Sequence, residues 1–303
     1  MHKLEPIFLT PHYDERPWGG SLLKSLFEKR PPYTRTGESW EVSARLEGQS
    51  TVKNGAFAGY PLQALYEAQP ELFGCDAAAF PFLIKYIDAN ETLSVQVHPN
   101  DITASLFGGE PKSEAWVVLW AAPGARLAIG GDFDDGAHLK VCLMDGSFQS
   151  RLHWHEAKAG DTFFIPGGTL HAIGSGLLIY EVQQPSNTTY RVYDWGRGRE
   201  VHIEQSAQCY QKDAAFTKVS PPAGAGHTLL TQCPYFKLER FDASAKPVTL
   251  RTGKQFAAVS AMGPGTVLWD NDRTQYAAGD SFLLPAGDAA YTFTEGTLYV
   301  SRP

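Results

Sequence analysis

Two stretches of this chain spell the same local structure. "AGDTFFIPGGTLHAI" (159–173) and "AAGDSFLLPAGDAAYTF" (277–293) match position by position, with Asp161 against Asp280, Pro166 against Pro285, Gly167 against Ala286 and Gly168 against Gly287. In each, a Gly-Asp turn feeds a short apolar strand, a proline turn follows, and a second strand begins. A unit that recurs in this way restricts the chain to a fold built twice. Jelly-roll barrels of the cupin sort use this turn between strands, and their mouths hold small ligands. The fold class expected is therefore mainly β, two cupin-like jelly-roll barrels with a small helical insertion. His171 of the first copy faces Ala290 in the second. Only the first barrel is expected to hold a metal, and the second to serve packing.

The remaining segments fit this plan. With 303 residues, 29 glycines and 20 prolines, the chain suits one large domain or two smaller ones, rich in turns. Residues 38–60 and 81–97 read as strands, the latter pair joined by a turn at Asp88-Ala89-Asn90. "PLQALYEAQPELFG" (61–74) spaces Leu62, Leu65, Tyr66 and Leu72 as a helix does, between Pro61 and Gly74. Residues 133–152 read as a second amphipathic helix inserted beside the sheet. The proline- and glycine-rich run 214–227 is the expected linker, which divides the chain into a catalytic domain at 1–213 and a metal-free barrel at 228–303.

"SVQVHPND" (94–101) carries the chemistry. Side chains two apart on a strand point the same way, so Gln96 and His98 converge while Val95 and Val97 pack behind them. "PKSEAWVVL" (111–119) reads as a strand with Lys112, Glu114 and Trp116 on one face, and His171 completes the set. Two histidines, a glutamate and a weaker amide oxygen form a mixed N/O donor set typical of catalytic zinc, and iron or manganese accepts it as well. The rival pair His153 and His155 stands in the polar run "SRLHWHEAKAG", which suits exposed strand positions better.

Three cations lie within these segments: Lys85 in "LIKYI", Lys112 beside Glu114, and Arg191 ten residues after Glu181. If Glu114 faces a metal, Lys112 turns to the same cavity and can neutralise an anionic ligand, and a guanidinium at Arg191 can stabilise charge developing on a substrate oxygen. A net charge of −7 without a basic run argues against nucleic acid or an anionic membrane as partner. The four cysteines are widely spaced, no apolar run reaches spanning length, and no apolar signal core opens the chain, so a cytoplasmic setting is expected.

Taken in order, "RPWGG" (16–20), "GESWEVS" (37–43), "SVQVHPND", "KSEAWVVL" (112–119), "PGGTLHAI" (166–173) and "YRVYDWGR" (190–197) resemble the type I phosphomannose isomerases in their short bacterial form, over the whole chain. The resemblance implies one zinc ion per chain held by Gln96, His98, Glu114 and His171. It places the phosphate-side serine and lysine on Ser94 and Lys112 and the catalytic arginine on Arg191. Trp18 of the opening motif and Lys85 are further candidates for contacting substrate, a small sugar phosphate. Ser113 departs from the family pattern, in which a proline is common at that point. The implied reaction interconverts mannose 6-phosphate and fructose 6-phosphate through a cis-enediol, and Glu181, a metal-bound water or a histidine can shuttle the proton. Two other classes compete with this reading: a sugar-phosphate-binding cupin without turnover, and an iron-dependent cupin dioxygenase, which usually carries His-x-His where this chain has Gln96-Val97-His98.

Overall fold

The computed structural model describes residues 4–75, 77–222 and 224–303. It divides into two compact units, one formed by Met1–Glu15, Ser21–Tyr86 and Pro221–Pro303, the other by Arg16–Gly20 and Ile87–Ser220.

The second unit is a sandwich of antiparallel strands. On one side Thr217–Val219, Thr162–Ile165, Glu114–Ala121 and Leu177–Gln183 lie side by side; on the other the order is Tyr190–Tyr193, Val95–Val97, His171–Ile173, Arg126–Gly131 and Leu152–Glu156. Strand alternation decides which residues meet inside. Trp116, Val118, Phe163, Ile165, Ile173, Ile179, Leu127 and Ile129 form one buried cluster. Val95, Val97, Ala128 and Ala172 point the other way and pack with Leu139, Cys142 and Phe148, beneath the helices Gly136–Asp145 and Ile203–Cys209. The expected backing of Gln96 and His98 by Val95 and Val97 is thus realised against a helical layer.

The first unit repeats the plan. One of its sheets runs His227–Gln232, Lys237–Asp242, Thr297–Arg302, Ala257–Ala261, Ser281–Leu284, Ile7–Thr10 and Thr51–Val52, and the other runs Val248–Gly253, Gly287–Phe293, Gly265–Trp269 and Asp272–Tyr276. Its interior is filled by Leu250, Val267, Trp269, Tyr276, Phe282, Tyr291 and Phe293. The duplicated turns have the same construction in both units. Asp161 Oδ2 accepts the Lys158 N–H at 3.1 Å and Asp280 Oδ2 accepts the Ala277 N–H at 2.8 Å, each after a glycine of positive φ, Gly160 at 94° and Gly279 at 82°.

Several boundaries differ from the sequence reading, each for a local reason. The compact units do not follow the linear division at 214–227, because Ile7–Thr10 pairs with Ser281–Leu284. Within the expected linker, Thr217–Val219 is a strand on the edge beside Thr162–Ile165, and Lys218 reaches Asp161 at 2.7 Å. The helix expected over 61–74 stops at Ala68 and resumes as a 3₁₀ turn at Pro70–Leu72, since Pro70 has no N–H to continue it. In the 133–152 segment the helix is Gly136–Asp145, capped by the Asp135 carboxylate on the His138 N–H, and Leu152 already begins a strand. The strand Leu83–Ala89 runs through the residues expected to turn. Among the described residues, no helix is long and apolar enough to cross a membrane.

Candidate metal centre

His98, Glu114 and His171 arrive from three strands or strand ends and meet inside the second unit, each only 1% exposed, with one donor atom from each lying within 4.8 Å of the others. His98 Nδ1 lies 2.9 Å from the Thr188 carbonyl and His171 Nδ1 2.9 Å from the Thr169 carbonyl. A carbonyl only accepts, so both rings carry their proton on Nδ1 and turn the Nε2 lone pair inward. There His98 Nε2 is 3.4 Å from Glu114 Oε2, and His171 Nε2 is 3.3 Å from Glu114 Oε1. His171 Nε2 and Glu114 Oε1 are buried without a hydrogen-bond partner, while Glu114 Oε2 meets the Lys112 ammonium at 2.8 Å. Buried polar atoms are ordinarily paired, so two convergent unpaired acceptors, one of them on a carboxylate, fit a cation better than they fit a core.

Protonation agrees with this fit. Burial pushes His98 down to about 3, with the Lys112 ammonium adding to the effect and Glu114 opposing it. Burial likewise lowers His171 against the pull of Glu114. For Glu114 burial acts upward, but Lys112, His98 and His171 together hold it well below the usual carboxylate range. Two neutral imidazoles beside an ionised carboxylate are the ligand states a divalent metal needs. Gln96 stands directly across from His171 in the register of the neighbouring strands, a position from which an amide can join the set.

Lys112 sits just before the strand Glu114–Ala121 rather than within it, yet it reaches the same cavity. Its Nζ is 2.8 Å from Glu114 Oε2 and 3.0 Å from His98 Nε2. Ser94 is buried at the start of the strand that carries Gln96. Glu181 is buried, pairs across strands with Trp116, and accepts its indole N–H at 3.1 Å. Arg191 is the cross-strand neighbour of Gln96. Its Nη1 donates to the Glu200 carbonyl at 2.7 Å while Nε has no hydrogen-bond partner, and burial, with Arg199 second, lowers its pKa. Ser94, Gln96, His98, Lys112, Glu114, His171, Glu181 and Arg191 all belong to this unit.

Two candidates are placed otherwise. Trp18 is buried in the apolar cluster with Ile87, Ala89 and Leu93. Lys85 belongs to the other unit, where its ammonium lies 3.3 Å from Glu38 and 4.5 Å above the Trp40 ring. Of the pair "HWH", His153 is exposed as expected and bonds Asp132, whereas His155 is half-buried and bonds the Ile129 carbonyl. Sequence reasoning missed Asp194, a buried carboxylate that binds Arg197 and Arg199, while Trp195 and Arg197 donate to the carbonyls of Leu93 and Thr92. These bonds pin the loop after Arg191 to the chain entering Ser94. The clustered "DWGRGR" was the only available signal.

The glycine turn before His171 is equally constrained. A Cβ on Gly167 would lie 2.7 Å from Pro99 O and 2.9 Å from Asn100 Cα, both backbone atoms of the segment after His98. The other copy of the turn carries Ala286 there. Gly167→Ala is therefore expected to destabilise the protein by about 1–3 kcal/mol, in the range of overpacked cores, measurable as a lowered melting temperature. A variant that melts with the wild type would refute the close approach.

Fold and donor set together define a metal-binding jelly-roll protein of cupin type. Residues 7–115 match the family described as phosphomannose isomerase type I, catalytic domain. A probable mannose-6-phosphate isomerase of Bacillus subtilis is 35% identical, the alignment covering 98% of this chain and 99% of the relative. A mannose-6-phosphate isomerase of Streptococcus mutans is 37% identical over 93% and 92%. The crystal structure of the mannose 6-phosphate isomerase from Bacillus subtilis superposes with a TM-score of 0.91 at 32% identity, covering 98% of this chain and 99% of that one. The chain belongs to the type I phosphomannose isomerase family.

Proposed function

We propose that this protein is an aldose-ketose isomerase that interconverts mannose 6-phosphate and fructose 6-phosphate, with zinc on His98, Glu114, His171 and Gln96. The observation that carries this reading is the convergence of two neutral imidazoles and an ionised carboxylate beside Lys112, in a chain whose relatives bear that activity in their names. A divalent ion held by these residues would supply Lewis acidity toward a sugar carbonyl oxygen.

The chain's own residues perform the remaining tasks. Arg191 stabilises the developing oxyanion with its guanidinium, whose Nε is still free to donate. Glu181 is a carboxylate on the same inward face as Trp116 and the candidate to carry the proton between C1 and C2. Lys112 shares Glu114 with the metal position; competing with a second cation for that carboxylate, it has the charge to turn to the 6-phosphate, where Ser94 assists. Anchoring the phosphate holds the open chain with its reacting carbons in place. Trp18 fills the apolar core of the same unit.

Incubating the protein with mannose 6-phosphate and a coupled assay for fructose 6-phosphate tests the reading. Turnover is expected, with loss on chelation and recovery on adding Zn²⁺. Failure to form fructose 6-phosphate with metal bound would overturn it. Formation that survives complete chelation would remove the metal from the mechanism.

A further inference from the structure

Ser113 stands between Lys112 and Glu114, just ahead of the strand Glu114–Ala121, and its hydroxyl meets the Gly167 amide while the Lys112 ammonium meets the Glu114 carboxylate. It is 5% exposed, and all three of its polar groups are engaged. Its N–H donates to Gln184 Oε1 at 2.8 Å and its carbonyl accepts the Gln184 N–H at 3.0 Å. Its Oγ accepts the Gly167 N–H at 3.1 Å.

That last bond joins two parts of the centre. Gly167 is buried in the turn that leads to His171, and the next amide of the turn, Gly168 N–H, donates to the His98 carbonyl at 2.7 Å. Lys112 N–H in turn donates to the Pro99 carbonyl at 2.9 Å, one residue after His98. Consecutive amides of one turn therefore connect the residue before Glu114 with His98 itself, and the same turn delivers His171. The tie from His98 to the turn is made by backbone alone. On the Glu114 side the backbone ladder reaches only Ile165, and the tie onward to the Gly167 amide is made by one hydroxyl.

We propose that Ser113 is a positioning residue for the metal centre: its hydroxyl, by holding the Gly167 amide, sets the separation between Glu114 and His171. The proposal rests on the metal reading of those residues. Outer groups that orient metal ligands typically contribute 10–100-fold to affinity, and this hydroxyl is the acceptor of a buried amide, whose loss leaves that donor unsatisfied.

The test compares wild type with Ser113→Ala, Ser113→Thr and Ser113→Val, measuring Zn²⁺ affinity by competition with a chromophoric chelator and the melting temperature of each metal-free protein. Threonine and valine have nearly the same shape and differ in the hydroxyl, so a variant that folds poorly for reasons of volume is matched by its partner. Ser113→Ala and Ser113→Val are expected to bind Zn²⁺ at least about tenfold more weakly, and Ser113→Thr within about threefold of wild type. Metal-free melting that separates threonine from valine by far less than the affinities do supports positioning over general stability. Equal affinities in threonine and valine variants overturn the proposal while leaving the metal centre standing. A wild-type chain that takes up no Zn²⁺ overturns the metal reading and the proposal with it.

Discussion

Replacing His171 with alanine is expected to abolish metal uptake and, with it, isomerase turnover. The ring is fixed by the Thr169 carbonyl and contributes one of three convergent donors, so its loss leaves His98, Glu114 and an amide, the weakest donor of the set. The effect should exceed the roughly 10–100-fold associated with partners that only orient ligands. Removing His153 and His155 together is the matched control. Those rings, carried on the outer strand Leu152–Glu156, bond Asp132 and the Ile129 carbonyl, and metal content should be unchanged. Metal analysis of the two proteins as purified decides the matter. Metal retained by His171→Ala and lost from the double variant would place the centre elsewhere.

Arg191 and Lys112 are expected to separate kinetically. Arg191→Lys should lower kcat by roughly 10²-fold with a modest change in KM, because a preorganised charge at the oxyanion acts on the transition state. Lysine should not rescue, since an ammonium lacks the planar fork that lets Nη1 hold the Glu200 carbonyl while Nε remains free to donate. Lys112→Met should mainly raise KM for the phosphorylated sugar. Some loss of kcat should accompany it, as Lys112 also touches Glu114 and His98 and remote binding energy aligns the reacting carbons. Both are measured at saturating metal with metal content checked. An unchanged kcat for Arg191→Lys, beside a collapsed kcat and normal KM for Lys112→Met, would exchange the two roles.

What could be read in the sequence was what depends on local spacing. The duplicated Gly-Asp turns, the packing of Val95 and Val97 on one side of their strand, and the helix at Gly136–Asp145 follow from periods of two and 3.6 and from turn chemistry. The donors could be nominated because histidine and glutamate on one strand face are uncommon in a core. Their orientation could not, because it comes from carbonyls of Thr169 and Thr188, and every residue has a carbonyl. Ser113 was visible only as a departure from a pattern; its partner Gly167 lies far along the chain. Trp18 and Lys85 show the converse limit: a motif position does not reveal that a ring lies in an apolar cluster or that an ammonium lies beside Glu38.

The pairing of Ile7 with Leu283 and Phe8 with Phe282 bears on how the chain is made. Residues Ile87–Ser220 form most of one unit from an almost continuous run, and such a unit can begin to fold while the remainder is still being synthesised. The strand Ile7–Thr10 leaves the ribosome first but cannot gain its neighbour Ser281–Leu284 until nearly the whole chain has followed. Thr51–Val52 can pair with Leu9 and Thr10 early, but until Ser281–Leu284 arrives Ile7 and Phe8 present an apolar edge without their partners, the kind of segment on which nascent chains aggregate. Premature termination anywhere before Ser281 would leave that edge permanently exposed, so shortened products of this gene should be cleared or precipitate even when the metal-binding half is complete.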